Sequence, residues 1–190
     1  MNHLAHALVA RRTGTSVVGN LMGDFVKGRA EDRYGGALLE GIRLHRAVDA
    51  YTDSHPAFTR CRDRFRPPYR RFAGVLVDVF WDHGLARDWD RHASEPLPEF
   101  AERVYAELRA RRSDLPGRML GFVDYMTDTN LLVAYARREG VARALAGLGR
   151  RFPRANPLAT AIGELDRIGD AVHDDLGAFL PDLMRHVGAR

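Results

Sequence analysis

The amino-acid sequence predicts an all-α protein, a compact helical bundle formed by a single domain over residues 1–190. Apolar residues recur at helical spacing along almost the whole chain, whereas the alternation typical of β-strands is scarce. No repeat, low-complexity tract or long linker divides the sequence. A chain of 190 residues is also long enough to bury a substantial core within one domain.

Turn and capping residues delimit the first helices. A first helix is expected over residues 2–11, because Thr13-Gly14-Thr15-Ser16 then interrupts the apolar pattern. Ser16 is a good N-cap for a second helix that runs toward residue 27. Gly28 is placed to end that helix.

Prolines separate the following helices. A third helix is expected over residues 36–53, and Pro56 opens a short continuation. A long helix over residues 70–89 follows the Pro67-Pro68 pair, and another runs from 96 to about 112. The remainder is expected to form helices punctuated by Pro116, Gly140, Pro153, Pro157 and Pro181. The predicted core includes Leu21, Leu38, Ile42, Val75, Val79, Phe122, Leu131 and Leu165.

Composition narrows the setting of the protein. No apolar run approaches the roughly 20 residues that span a bilayer, so no membrane association is expected. The N-terminal sequence lacks the basic start of a signal peptide, and Cys61 is the only cysteine. A cytoplasmic location is therefore the simplest expectation. The net charge is +4, and Lys27 is the only lysine, so the positive charge is carried almost entirely by arginine.

Two carboxylates lie within the apolar segment 74–85. Asp78 and Asp82 are four residues apart, so both project from one face of the predicted helix, and His83 follows them. Burying an ionised carboxylate without a partner costs several kcal/mol or more, so a cation must offset that cost. A bound metal is the favoured explanation, and a buried network with Arg43 or Arg46 is the alternative.

His45, Asp49 and Asp53 form a second polar stripe, because intervals of four place them on one helix face. Imidazole nitrogen and carboxylate oxygen together suit Mn²⁺, Mg²⁺, Fe²⁺ or Zn²⁺ better than a thiolate-binding metal. Asp53 stands at a helix end, where a local capping role is the stronger expectation.

The N-terminal region adds further candidates. His3 and His6 are three residues apart on the first helix, and Asp24 lies in another apolar segment. His6 could instead be a hydrogen-bonded core residue, and Asp24 could cap a turn or pair with an arginine. Together, these segments predict a site assembled inside a helical bundle, where facing helices contribute ligands.

At these positions the sequence resembles the acyl carrier protein phosphodiesterase family. The matching segments occur in the family's order and cover about the first half of the chain. They are Asn2-x-Leu4-Ala5-His6, Gly19-Asn20-x-x-x-Asp24-Phe25-Val26-x-Gly28, Gly41-Ile42-x-x-His45-Arg46-x-x-Asp49-x-x-Thr52-Asp53, and Asp78-x-x-Trp81-Asp82-His83.

The resemblance implies a fold related to the HD-type metal phosphohydrolases, with a requirement for a divalent cation and a preference for Mn²⁺. It also implies hydrolysis of the phosphodiester between 4′-phosphopantetheine and the serine of holo acyl carrier protein. A typical HD signature reads histidine then aspartate, whereas the adjacent pair here is Asp82-His83. The metal-ligand candidates are His6, Asp24, His45, Asp49, Asp78, Asp82 and His83.

Three catalytic roles follow as hypotheses. His83 or His45 would protonate the departing serine oxygen if it is not itself a ligand. Arg46, next to the proposed ligand stripe, would hold the phosphate oxygens. Asp24 is counted with both the catalytic and the metal-binding residues.

An arginine-rich segment is the expected docking face for the acidic carrier protein. Within residues 60–71 the sequence places six arginines against one aspartate. Complementary charge of this kind mainly raises the association rate and weakens with salt. A solvated face without a partner is the alternative. The six are Arg60, Arg62, Arg64, Arg66, Arg70 and Arg71.

Two other functions compete with this hypothesis. The nearer one keeps the chemistry and changes the substrate to a nucleotide or another small phosphoester. The remoter one is an arginine-rich nucleic-acid-binding protein, suggested by the high pI of about 9.6. Buried acidic clusters disfavour nucleic-acid binding, and no DNA-binding motif is present, so nucleic acid is not an expected partner.

Overall fold

A computed structural model describes residues 1–188, which form ten α-helices joined by short connections and 3₁₀ turns, with no strand in that range. The predicted all-α class is confirmed. The helices are α1 (His3–Arg12), α2 (Val17–Met22), α3 (Gly36–Ser54), α4 (Pro56–Asp63), α5 (Ala73–Arg87), α6 (Leu97–Ala110), α7 (Gly117–Asp128), α8 (Leu131–Ala134), α9 (Arg138–Arg151) and α10 (Ile162–Gly188).

The first two helices begin close to where the sequence predicts. Helix α1 is central, since every residue from its start to Ala10 is buried. The hydroxyl of Ser16 caps α2 by accepting a hydrogen bond from the Gly19 backbone N–H at 3.0 Å. The prediction that α2 continues to residue 27 is wrong, because the chain tightens into a 3₁₀ turn over Gly23–Phe25.

That turn lies where α2 packs closely against α3. A Cβ atom added at Gly23 would lie 2.2 Å from Cγ of His45, so only glycine admits the imidazole at this point. On the other helix, a Cβ at Gly41 would lie 2.6 Å from the backbone nitrogen of Asn20. These two glycines let the helices approach, and the approach brings His45 next to Asp24.

Helix α5 is the second central element. The predicted helix over residues 70–89 divides into a 3₁₀ turn (Arg70–Phe72), α5, and another 3₁₀ turn (Trp89–Arg91). Trp81 on α5 stacks on Phe179 of α10 with ring centroids 4.5 Å apart. Its indole N–H also donates to the carbonyl of Val172 at 3.1 Å.

Two predicted interruptions are wrong. Pro181 lies inside α10, where the flanking side chains of Phe179 and Leu183 are fully buried and hold the helix to the core. Gly140 lies in the first turn of α9 and does not interrupt it; glycine is required there because a Cβ atom would clash with the carbonyl oxygen of Ala134.

Most of the predicted core is buried. The exceptions are Leu38 and Leu165, which are partly buried and pack against the core, and Val75, which is half-buried beside a cavity. None of the helices described has the length and apolar character that a membrane crossing needs.

Candidate functional site

The side chains of His6 and His45 meet at the carboxylate of Asp49. His6 lies on α1, and the other two residues lie one turn apart on α3. Nε2 of His6 is 3.1 Å from Oδ1 of Asp49, and Nε2 of His45 is 3.0 Å from Oδ2. The two imidazole rings stack with their centroids 4.0 Å apart. The ligand atoms of the three residues all lie within 4.8 Å of one another, which is compatible with a single bound metal ion.

Two more carboxylates and an amino group border this triad. Oδ1 of Asp24 is 3.5 Å from Nε2 of His45. The Met1 amino nitrogen lies 3.2 Å from Oδ1 of Asp49 and 3.3 Å from Oδ1 of Asp78. We refer to His6, Asp24, His45, Asp49 and Asp78 as the His/Asp cluster. Because its carboxylates repel one another, the cluster needs positive charge close by.

The two imidazoles have opposite protonation behaviour. Burial lowers the pKa of His6 to about 4, so this ring is neutral near pH 7. Burial also disfavours the charged form of His45, but hydrogen bonds with Asp24 and Asp49 outweigh it and raise the pKa of His45 to about 9. Protonated His45 thus supplies part of the positive charge that balances the carboxylates. A divalent ion would displace this proton, since metal ligands bind in their deprotonated form.

The carboxylates differ as well. Burial opposes ionisation of Asp49, but hydrogen bonds with His45 and His6 outweigh it and hold the pKa of Asp49 far below its usual range. The pKa of Asp24 is lowered in the same way, chiefly by its hydrogen bond with His45. Burial raises the pKa of Asp78 to about 6. Near neutral pH, Asp24 and Asp49 therefore supply permanent negative charge.

Several polar atoms near the cluster are buried without a hydrogen-bond partner in the described part of the chain. They include Nδ1 of both His6 and His45, so each ring turns its Nε2 toward the carboxylates. They also include both side-chain polar atoms of Asn20, which is fully buried one helical turn before Asp24. Asn20 was not among the predicted site residues, and its position in the Gly19-Asn20 motif is the only signal for it in the sequence.

A cavity of about 630 Å³ opens beside the cluster. Asp78 lines this cavity and also contacts the amino group that Asp49 binds, so it connects the cavity with the cluster. Asp53 lies in the cavity wall as well, one turn beyond Asp49 on α3, and is exposed. The cavity therefore gives a ligand a path to one side of the cluster.

The structure does not bring Asp82 and His83 to the triad. The carboxylate of Asp82 is fully buried and accepts hydrogen bonds from the backbone N–H groups of Leu4 and Ala5 at 2.9 and 3.0 Å. Nδ1 of His83 lies 2.7 Å from the carbonyl oxygen of Tyr135. Asp82 thus holds the first turn of α1, and His83 faces α8 and the residues that follow it.

Several predicted arginines also have structural partners. Arg46 donates through Nη2 to the carbonyl oxygens of Val26 at 3.0 Å and Gly28 at 2.8 Å, so it holds the loop after Asp24. Arg60 and Arg64 both bind the buried carboxylate of Asp175 on α10. Arg62, Arg66, Arg70 and Arg71 are exposed and form no ion pair within residues 1–188.

The second half of the chain contributes residues that the sequence analysis did not predict for the site. Phe152 and Arg154, in the segment between α9 and α10, line the cavity together with residues of α4 and α5. Their side chains reach the site only through tertiary packing, because they lie more than 70 residues from Asp78 in the chain.

Fold and site together define a helical protein in which histidines and carboxylates from separate helices meet beside a cavity. The chain belongs to the acyl carrier protein phosphodiesterase family, whose family model matches residues 1–183. It is similar to the acyl carrier protein phosphodiesterases of Enterobacter sp. (strain 638), at 34% identity over 97% of this chain and 96% of that protein, and of Serratia proteamaculans (strain 568), at 33% identity over the same shares. The protein of the same name from Photorhabdus laumondii is 34% identical over 88% of this chain and 85% of its own length. No solved structure matches the chain.

Proposed function

We propose that this protein hydrolyses holo acyl carrier protein to apo acyl carrier protein and free 4′-phosphopantetheine. The supporting observation is the His/Asp cluster beside an open cavity, in a chain whose similarity to proteins named acyl carrier protein phosphodiesterase extends over almost its full length. The relation to HD-type phosphohydrolases stays a prediction from the sequence.

We propose that His6, His45 and Asp49 hold a divalent cation, with Asp24 and Asp78 at its sides. The donor set fits such an ion, because two imidazole nitrogens and a carboxylate converge within one ligand sphere. The neutral His6 and the ionised Asp49 are already in the protonation states that metal binding needs. We propose Mn²⁺ as the preferred ion. Mg²⁺, Fe²⁺ and Zn²⁺ are the alternatives, because each of them also binds imidazole or carboxylate ligands.

The chemistry is a displacement at phosphorus. A bound divalent ion would supply charge neutralisation and a water molecule of lowered pKa. The oxygen of water bonds to phosphorus, the bond to the serine oxygen breaks, and the serine oxygen takes up the proton that the attacking water loses. The carboxylates of the cluster orient the water, and Asp78 extends their negative charge to the cavity wall. Neither predicted acid takes part in this proposal, because His45 as a metal ligand has lost the proton on Nε2 and His83 lies outside the cluster.

Asp82 and Arg46 take positioning roles in this proposal. Asp82 binds the first turn of α1, the helix that carries His6. Arg46 binds the carbonyl oxygens of the loop that follows Asp24. Both residues therefore act on the cluster through the backbone that supports it.

The direct test is incubation of the purified protein with holo acyl carrier protein, with Mn²⁺ or with a chelator, followed by intact mass measurement. We expect loss of the phosphopantetheine mass with Mn²⁺ and no loss with the chelator. A folded, metal-loaded protein that leaves the carrier unchanged with every divalent ion would remove the carrier-protein assignment and favour a smaller phosphoester.

Docking of the carrier is proposed to use Arg66 and Arg70, which are exposed and form no ion pair within residues 1–188. Replacing Arg66 and Arg70 together by glutamate is expected to raise KM for holo carrier protein by about 10-fold or more with kcat nearly unchanged, because charge complementarity acts mainly on association. The wild-type kcat/KM should also fall steeply as salt screens the charges. Initial rates at 50 and 300 mM salt check both expectations.

Arg137 and Arg143 provide a matched control, since both are exposed and neither forms an ion pair within residues 1–188. Replacing both by glutamate makes the same change in net charge and should leave KM within about twofold of wild type, as expected for a charge change outside the interface. Equal effects of the two changes would show that net charge matters and the docking face does not.

A further inference from the structure

Three arginines line the cavity beside the cluster without a carboxylate partner within residues 1–188. They come from separate segments: Arg62 from α4, Arg71 from the 3₁₀ turn before α5, and Arg154 from the connection between α9 and α10. Neighbouring Arg60 and Arg64 are neutralised by Asp175, whereas these three arginines line the cavity together with the carboxylates of Asp53 and Asp78. Planar guanidinium groups bind phosphate oxygens in pairs, which makes this wall suitable for a phosphate group.

The same cavity has an aromatic wall. Phe72 and Phe152 contact each other edge to face, with ring centroids 5.6 Å apart, and Phe58 lies deeper in the lining. Phe152 is 39% exposed and is the one large apolar side chain classed as exposed among residues 1–188. A ligand chain lying against it would remove apolar surface from water, which stabilises a complex by about 25 cal/mol per Å².

Arginine and phenylalanine therefore occur together in a cavity of about 630 Å³, a volume within the range of roughly 300–1,000 Å³ typical of small-molecule sites. The complementary ligand has an anionic phosphate at one end and a flexible, partly apolar chain at the other. Asp78 lines the cavity on the side of the His/Asp cluster, so a phosphate held by the arginines would lie near the cluster.

Building on the proposed function, we propose that this cavity binds the 4′-phosphopantetheine arm of the substrate. Arg71 and Arg154 hold the phosphate, with Arg62 adding positive charge, and the Phe72–Phe152 pair supports the pantetheine chain. The second half of the chain thereby contributes directly to substrate binding, through the segment over residues 152–156.

Binding of two free ligands tests the role of the arginines separately from that of Phe152. Isothermal titration of 4′-phosphopantetheine and of pantetheine, which lacks the phosphate, should give measurable binding to the wild-type protein. We expect Arg71→Ala and Arg154→Ala each to raise Kd for 4′-phosphopantetheine by about 10-fold and to leave Kd for pantetheine within about twofold, because only the phosphate is anionic. Phe152→Ala should raise both constants by about 3- to 10-fold, because the chain is common to both ligands.

Arg143→Ala is the matched control, since Arg143 is exposed on α9, does not line the cavity and forms no ion pair within residues 1–188. Its Kd values should equal those of wild type. Absence of saturable binding, or equal weakening by Arg143→Ala and Arg154→Ala, would overturn the proposal. Hydrolysis of holo carrier protein, measured on the same samples, separates the two ideas. Binding that depends on Arg154 without hydrolysis would refute only the proposed function, and hydrolysis without such binding would refute only the cavity assignment.

Discussion

Replacing Asp49 by asparagine is expected to lower kcat for holo carrier protein by at least about 10³-fold, equivalent to roughly 4 kcal/mol of lost transition-state stabilisation. Asp49 is the residue that joins the cluster, because its two carboxylate oxygens contact the separate imidazoles of His6 and His45. Asparagine keeps the shape of the side chain but removes its negative charge. It also presents an NH₂ group to one of the rings, where an acceptor stood before.

The loss should be visible in metal content as well as in rate. Without the Asp49 charge, one of the hydrogen bonds that hold the proton on His45 disappears, and the cluster loses a ligand of the type that hard divalent ions prefer. Measured Mn²⁺ stoichiometry is therefore expected to fall well below that of wild type at equal free metal. Circular dichroism should still report a fully helical protein.

Glu40→Gln is the matched control for this change. Glu40 lies on the same helix and is exposed, so the same chemical replacement there removes a charge outside the cluster. Its activity and metal content should match those of wild type. If Asp49→Asn keeps more than a tenth of the wild-type kcat with Mn²⁺ bound, Asp49 is not a metal ligand.

Helical periodicity predicted the local part of the site well. The four-residue spacing of His45 and Asp49 indicates a common helix face, and the structure places their side chains 3.0 Å apart. His6 joins them from a different helix, and nothing in its local sequence marks this contact. Its spacing of three residues from His3 made His6 a candidate, and the resemblance to a family placed it among the metal ligands.

The same periodicity was insufficient for Asp78 and Asp82. They do share a face of α5, but the first turn of α1 packs against that face. As a result, Asp78 contacts the Met1 amino group and Asp82 accepts the backbone N–H groups of the turn. The backbone donors that reach Asp82 lie nearly 80 residues away in the chain. The sequence pattern of α5 therefore could not show which of its two carboxylates would accept them.

The charge pattern was also insufficient to predict which arginines are free of ion pairs. Six arginines in one segment look equivalent in the sequence, yet Asp175, more than 100 residues away, binds Arg60 and Arg64. The sequence correctly indicates an excess of positive charge in this region. The division between internal pairs and free charges depends on the docking of α10 against α4.

Replacing Asp82 by alanine is expected to destabilise the protein by about 2–4 kcal/mol, because two buried backbone N–H groups lose their acceptor. Asp82 is fully buried, and its two oxygens accept the N–H groups of Leu4 and Ala5 in the first turn of α1. Burial raises the pKa of Asp82 to about 7, against the opposing effect of these two donors. The residue thus serves as the N-terminal cap of a helix that offers none of its own, since the side chain of Asn2 makes no capping hydrogen bond.

Thermal and denaturant unfolding check this expectation. For a chain of this size, 1 kcal/mol corresponds to roughly 2–4 °C in Tm, so a decrease of about 5–15 °C should be observed. Asp82→Asn retains one carbonyl acceptor and should lose about half as much stability, as one donor remains satisfied. The control is Asp90→Ala, an exposed aspartate in the following 3₁₀ turn, which should stay within about 0.5 kcal/mol of wild type.

The pattern of loss across these variants decides between the two roles that Asp82 can have. A metal ligand would lose bound metal and activity on substitution while the metal-free protein kept its stability. A cap of α1 would lose stability in the metal-free protein, and activity would fall only as far as His6 is displaced with its helix. If Asp82→Ala lost Mn²⁺ binding while its metal-free stability stayed unchanged, Asp82 would have to be a metal ligand. The first turn of α1 would then have to move when the metal binds.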